Sequence, residues 1–158
     1  MTETEIKLTD AKVQLDLAMS SENVYKIDVV RSCINAFISI ARSVTFTMQK
    51  ESGSFEKYLK WYENKQVEMR LNPLLKFFNE QRVISIHHRS IQPSQRIMKI
   101  SEIEQNGQVV GVNGTAMVYE FDDFDKIIAG DSGNVFRLCL EYYDYLYHLV
   151  KEWKEIMK

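Results

Sequence analysis

The chain is poor in cysteine and histidine, and it carries no strong excess of either charge. Only two cysteines occur in 158 residues, Cys33 and Cys139, and both fall inside apolar helical patterns. Buried free thiols in a reducing compartment are therefore expected rather than a disulfide framework. Histidine occurs three times, with His87 and His88 adjacent and so pointing apart, and no C-x-x-C or H-E-x-x-H spacing exists. No metal site is expected. The glycine patterns that cradle nucleotide phosphates are missing, and no other cofactor is implied. A net charge of -2 with 27% charged residues excludes both a disordered tail and a generally basic nucleic-acid binder. The opening MTETEIKLTD is acidic and lacks the basic-then-apolar layout of a signal peptide. No apolar run reads as long enough to span a bilayer. These absences point to the cytoplasm and to no membrane partner. There are no internal repeats and no low-complexity tracts.

What is present suits one domain spanning residues 1–158. A hydrophobic content of 45% is enough for a core at this length. Ala11, Leu15 and Ala18 recur at helical spacing, with Val13, Leu17 and Met19 widening the stripe, so a first helix is expected over 8–20. A second, over 24–50, has no Gly or Pro. Ile27, Val30, Ile34, Phe37, Ile38, Ala41, Val44 and Met48 line one side of it. It is rich in Val, Ile and Thr, so it depends on packing and should be central. Ser52-Gly53-Ser54 separates it from a third helix, 55–71. Asn72 is a good N-cap and Pro73 suits the first helical position, so a fourth helix starts there and ends by about Ile91 ahead of Pro93.

Beyond Arg96 the pattern changes. Asn106-Gly107 and Asn113-Gly114 stand between β-favouring runs, which predicts a three-stranded antiparallel meander with strands near 97–104, 108–112 and 115–121. Asp122 to Gly130 reads as an acidic connection. Ser132 or Asn134 caps a last helix reaching about Met157, with Val135, Leu138, Cys139, Tyr142, Leu146, Leu149, Val150, Trp153 and Ile156 as its stripe. The expected fold is all-α: an up-and-down bundle of about five helices, with core 8–91 and 132–157 and a β-meander inserted at 96–121.

Charge is uneven along the chain. Arg82, Arg89, Arg96 and Lys99 lie in an interval without acidic residues that also holds His87 and His88. Such a segment can mark an anion site in an acidic molecule, or simply a solvated face. Arg82 and His87 are five apart, so their directions differ by about 140° on an ideal helix. Two copies across a two-fold axis could combine them. Arg holds a phosphate with a planar fork of donors, and His exchanges a proton near neutrality. Tyr142, Tyr143, Tyr145 and Tyr147 read as core and interface before base stacking.

The run FFNEQRVISIHH, with Arg82-x4-His87, resembles the HEPN superfamily of all-α bundles. So do AFISIARSVTFTMQK at 36–50 and the MRLNPLLKFF run. The resemblance covers about residues 8–90. It implies a homodimer whose Arg82 and His87 line a shared cleft, Arg82 neutralising a phosphate and His87 acting as general acid or base, with His88 and Arg89 as supporting anion contacts. Val83 stands where the family usually has a polar residue, and Gln81 where it often has Leu. The expectation is accordingly a non-catalytic or weakly catalytic protein that binds RNA or a protein partner, a cognate antitoxin among the candidates. The alternative is a metal-independent endoribonuclease of toxin or defence type.

Overall fold

In the computed structural model the chain is described at residues 1–100, 104–105, 108–109, 114–122 and 133–158. Thr2 caps α1 (Glu3–Met19) with a reciprocal box: the Glu5 amide donates to the Thr2 hydroxyl, and the Thr2 amide donates to the Glu5 carboxylate at 2.7 Å. The T-x-x-E signature is plain in the sequence, yet the apolar pattern alone places the start at Leu8, one turn late. Leu8, Ala11, Leu15 and Ala18 are buried, whereas Val13 and Leu17 are exposed, so the stripe is narrower than expected.

Helix α2 (Ile27–Ser52) is the central element and buries ten of its 26 residues. It ends at Gly53, whose φ of +53° is the left-handed conformation that a side chain would strain. By length and composition α2 is apolar enough to cross a membrane, which corrects the reading that no such run exists. The reason is its place in the bundle: a central helix that packs against several others carries a wide apolar face.

Helices α3 (Glu56–Leu71) and α4 (Pro73–His87) are separated by a single residue, Asn72. Its side chain accepts from the Leu74 and Leu75 amides while its own amide donates back to the Glu68 carbonyl, so it ends one helix and starts the next. Cross-contacts order the pair along α2. Gln49 donates to the Tyr62 hydroxyl at 2.6 Å, Phe37 meets Phe78 edge-on, and the Ser85 hydroxyl donates to Asn35. As the chain climbs from 62 to 85, its α2 partner falls from 49 to 35. Together α3 and α4 thus form one broken column antiparallel to α2.

Helix α5 (Val135–Ile156) begins at Asn134, whose side chain accepts from the Arg137 amide. It lies parallel to α2, since Trp153 near its end donates to Ser52 at the end of α2. Phe78 stacks on Tyr142 at 4.5 Å between centroids, with Phe37 edge-on to both, and these rings form the heart of the core. Side chains of this size contribute about 1.5–3 kcal/mol each on burial. Cys33 and Cys139 are free and buried.

Among the described residues the architecture is therefore an all-α bundle of five helices with a small antiparallel β element. The strand pairing differs from the expected meander. β1 (Ser94–Ile100) pairs directly with β4 (Gly114–Glu120), and β2 (Glu104–Gln105) with β3 (Gln108–Val109). Gly114 sits inside a ladder opposite Ile100, so the second Asn-Gly does not join neighbouring strands. Two nested ladders straddle Asn106-Gly107 instead. The remaining parts of the expected strands, and the acidic connection over 123–130 with its possible cap at Ser132, lie outside the described residues. Tyr119 docks β4 on the bundle: it is fully buried and donates to the Val24 carbonyl at 2.6 Å.

Candidate functional site

The break at Asn72 leaves a hollow beside it. A cavity of about 390 Å³ is lined by Arg42 and Thr45 of α2, by Tyr62, Gln66, Met69 and Arg70 of α3, by Leu75, Lys76 and Asn79 of α4, and by Tyr142, Tyr145 and Leu146 of α5. A continuous helix would carry packed side chains through this level. Ending α3 at Leu71 and restarting at Pro73 turns Met69 and Arg70 on one side, and Leu75 and Lys76 on the other, toward the same space.

Among the described residues the lining has three cations and no carboxylate. Arg42 is set mid-way along the central helix. Its Nη1 reaches the Thr45 hydroxyl only weakly at 3.5 Å, and its Nε is buried without a hydrogen-bond partner. An unmet buried polar group of this kind costs about 1–3 kcal/mol. The Tyr145 hydroxyl is likewise buried, beside the Glu68 carboxylate. Burial pushes the Tyr145 hydroxyl well above its usual range, and the nearby Glu68 and Glu152 carboxylates add to the rise. It stays protonated and able to donate.

Arg82, the cation singled out from the sequence, belongs to this neighbourhood without lining the cavity. Its guanidinium lies 5.7 Å from the centre of the Phe46 ring, and that of Arg42 lies 4.8 Å from the same ring. The ring's negative face attracts both cations. Neither guanidinium has a carboxylate partner among the described residues. Both also act on Tyr142: burial pushes its hydroxyl up to about 12, and the two guanidinium charges partly oppose the rise. Two like charges thus share one edge of the site without a counter-ion.

His87 is placed differently. It is the last residue of α4 and exposed, and His88 and Arg89 after it are exposed as well. The amides of His88 and Arg89 donate to the Ile84 carbonyl, closing the helix. Asn35 then fixes the following segment, donating to the Ile91 carbonyl and accepting from the Ile91 amide, both at 2.9 Å. Neither histidine lines the cavity, whereas Arg89 borders a much smaller hollow with Gln81 and Asp122. Arg42, Arg70 and Lys76 were not singled out by sequence reasoning. They come from three helices, and spacing along one helix gives no sign of their meeting. Two of the four tyrosines of the α5 run, Tyr142 and Tyr145, line the cavity, while Tyr147 is exposed.

A family model described as bacteriophage lambda protein ea47 matches residues 7–87, just over half of the chain. The match runs from α1 to the final residue of α4, and so includes every lining residue except the three from α5. No curated protein and no solved structure matches the chain. The chain belongs to this phage protein family. That finding corrects the resemblance to the HEPN superfamily, which rested on short runs over nearly the same interval.

Proposed function

We propose that this phage-type protein binds single-stranded RNA through the phosphate chemistry of the cleft at the α3–α4 break, without cleaving it. One observation carries the reading: Arg42, Arg70 and Lys76 converge with no carboxylate among the lining residues, in a chain whose net charge is -2. Local potential, rather than total charge, draws a phosphate. Arg82 strengthens that potential from the edge through Phe46. A single strand suits the site better than a duplex, because a recess between helices admits a splayed nucleotide and excludes a rigid helical stem. His87 stands outside the lining, so the cleft itself supplies cations and hydroxyls but no group that titrates near neutrality. Buried free thiols fit a reducing, cytoplasmic setting.

The test is fluorescence anisotropy with a labelled single-stranded RNA, titrated at several salt concentrations in the presence of a chelator. The triple variant Arg42→Gln, Arg70→Gln, Lys76→Gln should reduce the slope of log affinity against log salt by about 2, at about 0.7 per phosphate contact on single strands. An unchanged slope would remove the cleft as the RNA site. Gel analysis of the same mixtures should find the RNA intact. Cleavage that vanishes in Arg82→Ala and in His87→Ala would overturn the non-catalytic part.

A further inference from the structure

We infer that the cleft is built for one nucleotide unit, its phosphate held by Arg42, Arg70 and Lys76 and its base set against Tyr145 and the apolar wall. This rests on the phosphate-binding reading above and narrows it from a strand to a single residue of that strand or a free nucleotide. Size is the first ground. A hollow of about 390 Å³ lies near the lower end of small-molecule sites, roughly 300–1,000 Å³. It is bounded by four helices, whereas a groove for several nucleotides would follow the strand along the surface.

Composition is the second ground. The lining combines the three cations with Met69, Leu75 and Leu146, and with the rings of Tyr62, Tyr142 and Tyr145. A bare anion has no use for the apolar and aromatic part, and an apolar ligand has none for the cations. A nucleotide uses both. Unmet hydrogen bonding is the third ground. Arg42 Nε offers a donor that has no partner among the described residues, and Tyr145 Oη, buried beside the Glu68 carboxylate, keeps a lone pair for a ligand donor. Phosphate oxygen answers the first, and a base edge or ribose hydroxyl answers the second. Gln66 and Asn79 add two amides able to read a base edge. The absence of a lining carboxylate disfavours cationic ligands.

The experiment is isothermal titration of the full chain with adenosine 5′-monophosphate and uridine 5′-monophosphate, alongside adenosine alone and inorganic phosphate alone. Each is also used as competitor against the labelled RNA. The monophosphates should bind about tenfold or more tightly than either fragment, since charge-assisted contacts and ring contacts add, and they should displace the RNA. Tyr145→Phe should weaken the monophosphates and leave phosphate binding unchanged. Arg42→Gln should weaken both, with thermal unfolding of each variant confirming that it is folded. Linear 5′-phosphorylated RNA and circular RNA of the same sequence distinguish the sources: preference for the linear form assigns the site to a strand terminus, equal binding of the two assigns it to a splayed internal nucleotide, and binding of the monophosphates but of neither RNA assigns it to a free nucleotide. If inorganic phosphate matches the monophosphates, the site is an adventitious anion site only and the inference falls. Failure of the monophosphates to displace RNA whose binding still depends on Arg42 would overturn the single-unit inference and leave the RNA reading standing. If RNA and monophosphates are both indifferent to Arg42, both readings fail.

Discussion

Where α1, α2 and α5 meet, the charged side chains at the helix ends have partners. Glu51 accepts from the amides of Glu3 and Thr4 and from the Thr4 hydroxyl, Lys154 pairs with Glu5, and Trp153 donates to Ser52 at 2.7 Å. Nine residues back along α2, about 14 Å on an ideal helix, the pattern reverses. Among the described residues Arg42 has one weak hydrogen bond, its Nε has none, and no carboxylate lines its cavity. The same central helix serves both places. At one, charge is spent on closing helix ends whose amides would otherwise be orphaned. At the other, charge is held in reserve by packing against an aromatic ring, which positions a cation without consuming its hydrogen bonds. Stability and binding should therefore separate by position along α2.

The largest break in that contrast is Trp153→Ala. It removes a buried ring and its bond to Ser52, and should cost about 3–5 kcal/mol. Chemical denaturation measures this, and the RNA affinity of the folded fraction should stay as it was. Glu51→Ala comes next. It strips three donors of α1 of their acceptor and should cost about 1–2 kcal/mol, with amide exchange accelerating first at Glu3 and Thr4.

Acid should act on the same clamp. The hydrogen bond from Lys154, then that from the Thr2 amide, hold the Glu5 carboxyl down at about 2. Burial opposes the shift at Glu51, but bonds from the Thr4 hydroxyl and from the Thr4 and Glu3 amides outweigh it and leave that carboxyl below its ordinary range. Both folded values lie below the unfolded one, about 4.3. Their contribution is thus fully present above that pH and is lost as pH falls toward the folded values. Thermal unfolding between about pH 5 and pH 2 should decline less steeply in Glu51→Ala than in the parent.

The smallest expected effect on stability is that of Arg42→Gln, below about 1 kcal/mol, because loss of the Phe46 ring contact is offset by relief of the unpartnered buried Nε. It removes a cation that the fold does not pair. A loss as large as that of Glu51→Ala would make Arg42 structural and dissolve the contrast.

Much of the bundle was legible in local signals. Asn72 and Pro73 specify the α3–α4 break through cap chemistry, Ser52-Gly53 ends α2, and the α5 stripe from Val135 to Trp153 is buried as its spacing implies. The hairpin was harder, because two Asn-Gly pairs look equivalent until the long β1–β4 register places Gly114 within a strand. On α1, spacing did not distinguish the buried Leu15 from the exposed Leu17, since only the position of α2 and α5 decides which side is covered. The site was the least legible part. Arg82 stood out because it stands five residues before His87 and opens an interval without acidic residues, yet Arg42, Arg70 and Lys76 meet only through the packing of three helices. Local charge reading cannot find a cluster whose members are separated by whole elements.

Asn72 sets more than a boundary. Each residue on an α-helix advances the facing direction by about 100°. A joint one residue long therefore fixes the rotational phase of α4 relative to α3, and with it whether Lys76 and Asn79 point at Arg70 or away from it. Inserting one residue ahead of Pro73 would conserve every side chain of the cleft in composition and put α4 a quarter-turn or more out of phase. The cationic character of the hollow is in this sense a matter of timing along the chain, set by the length of a single-residue joint.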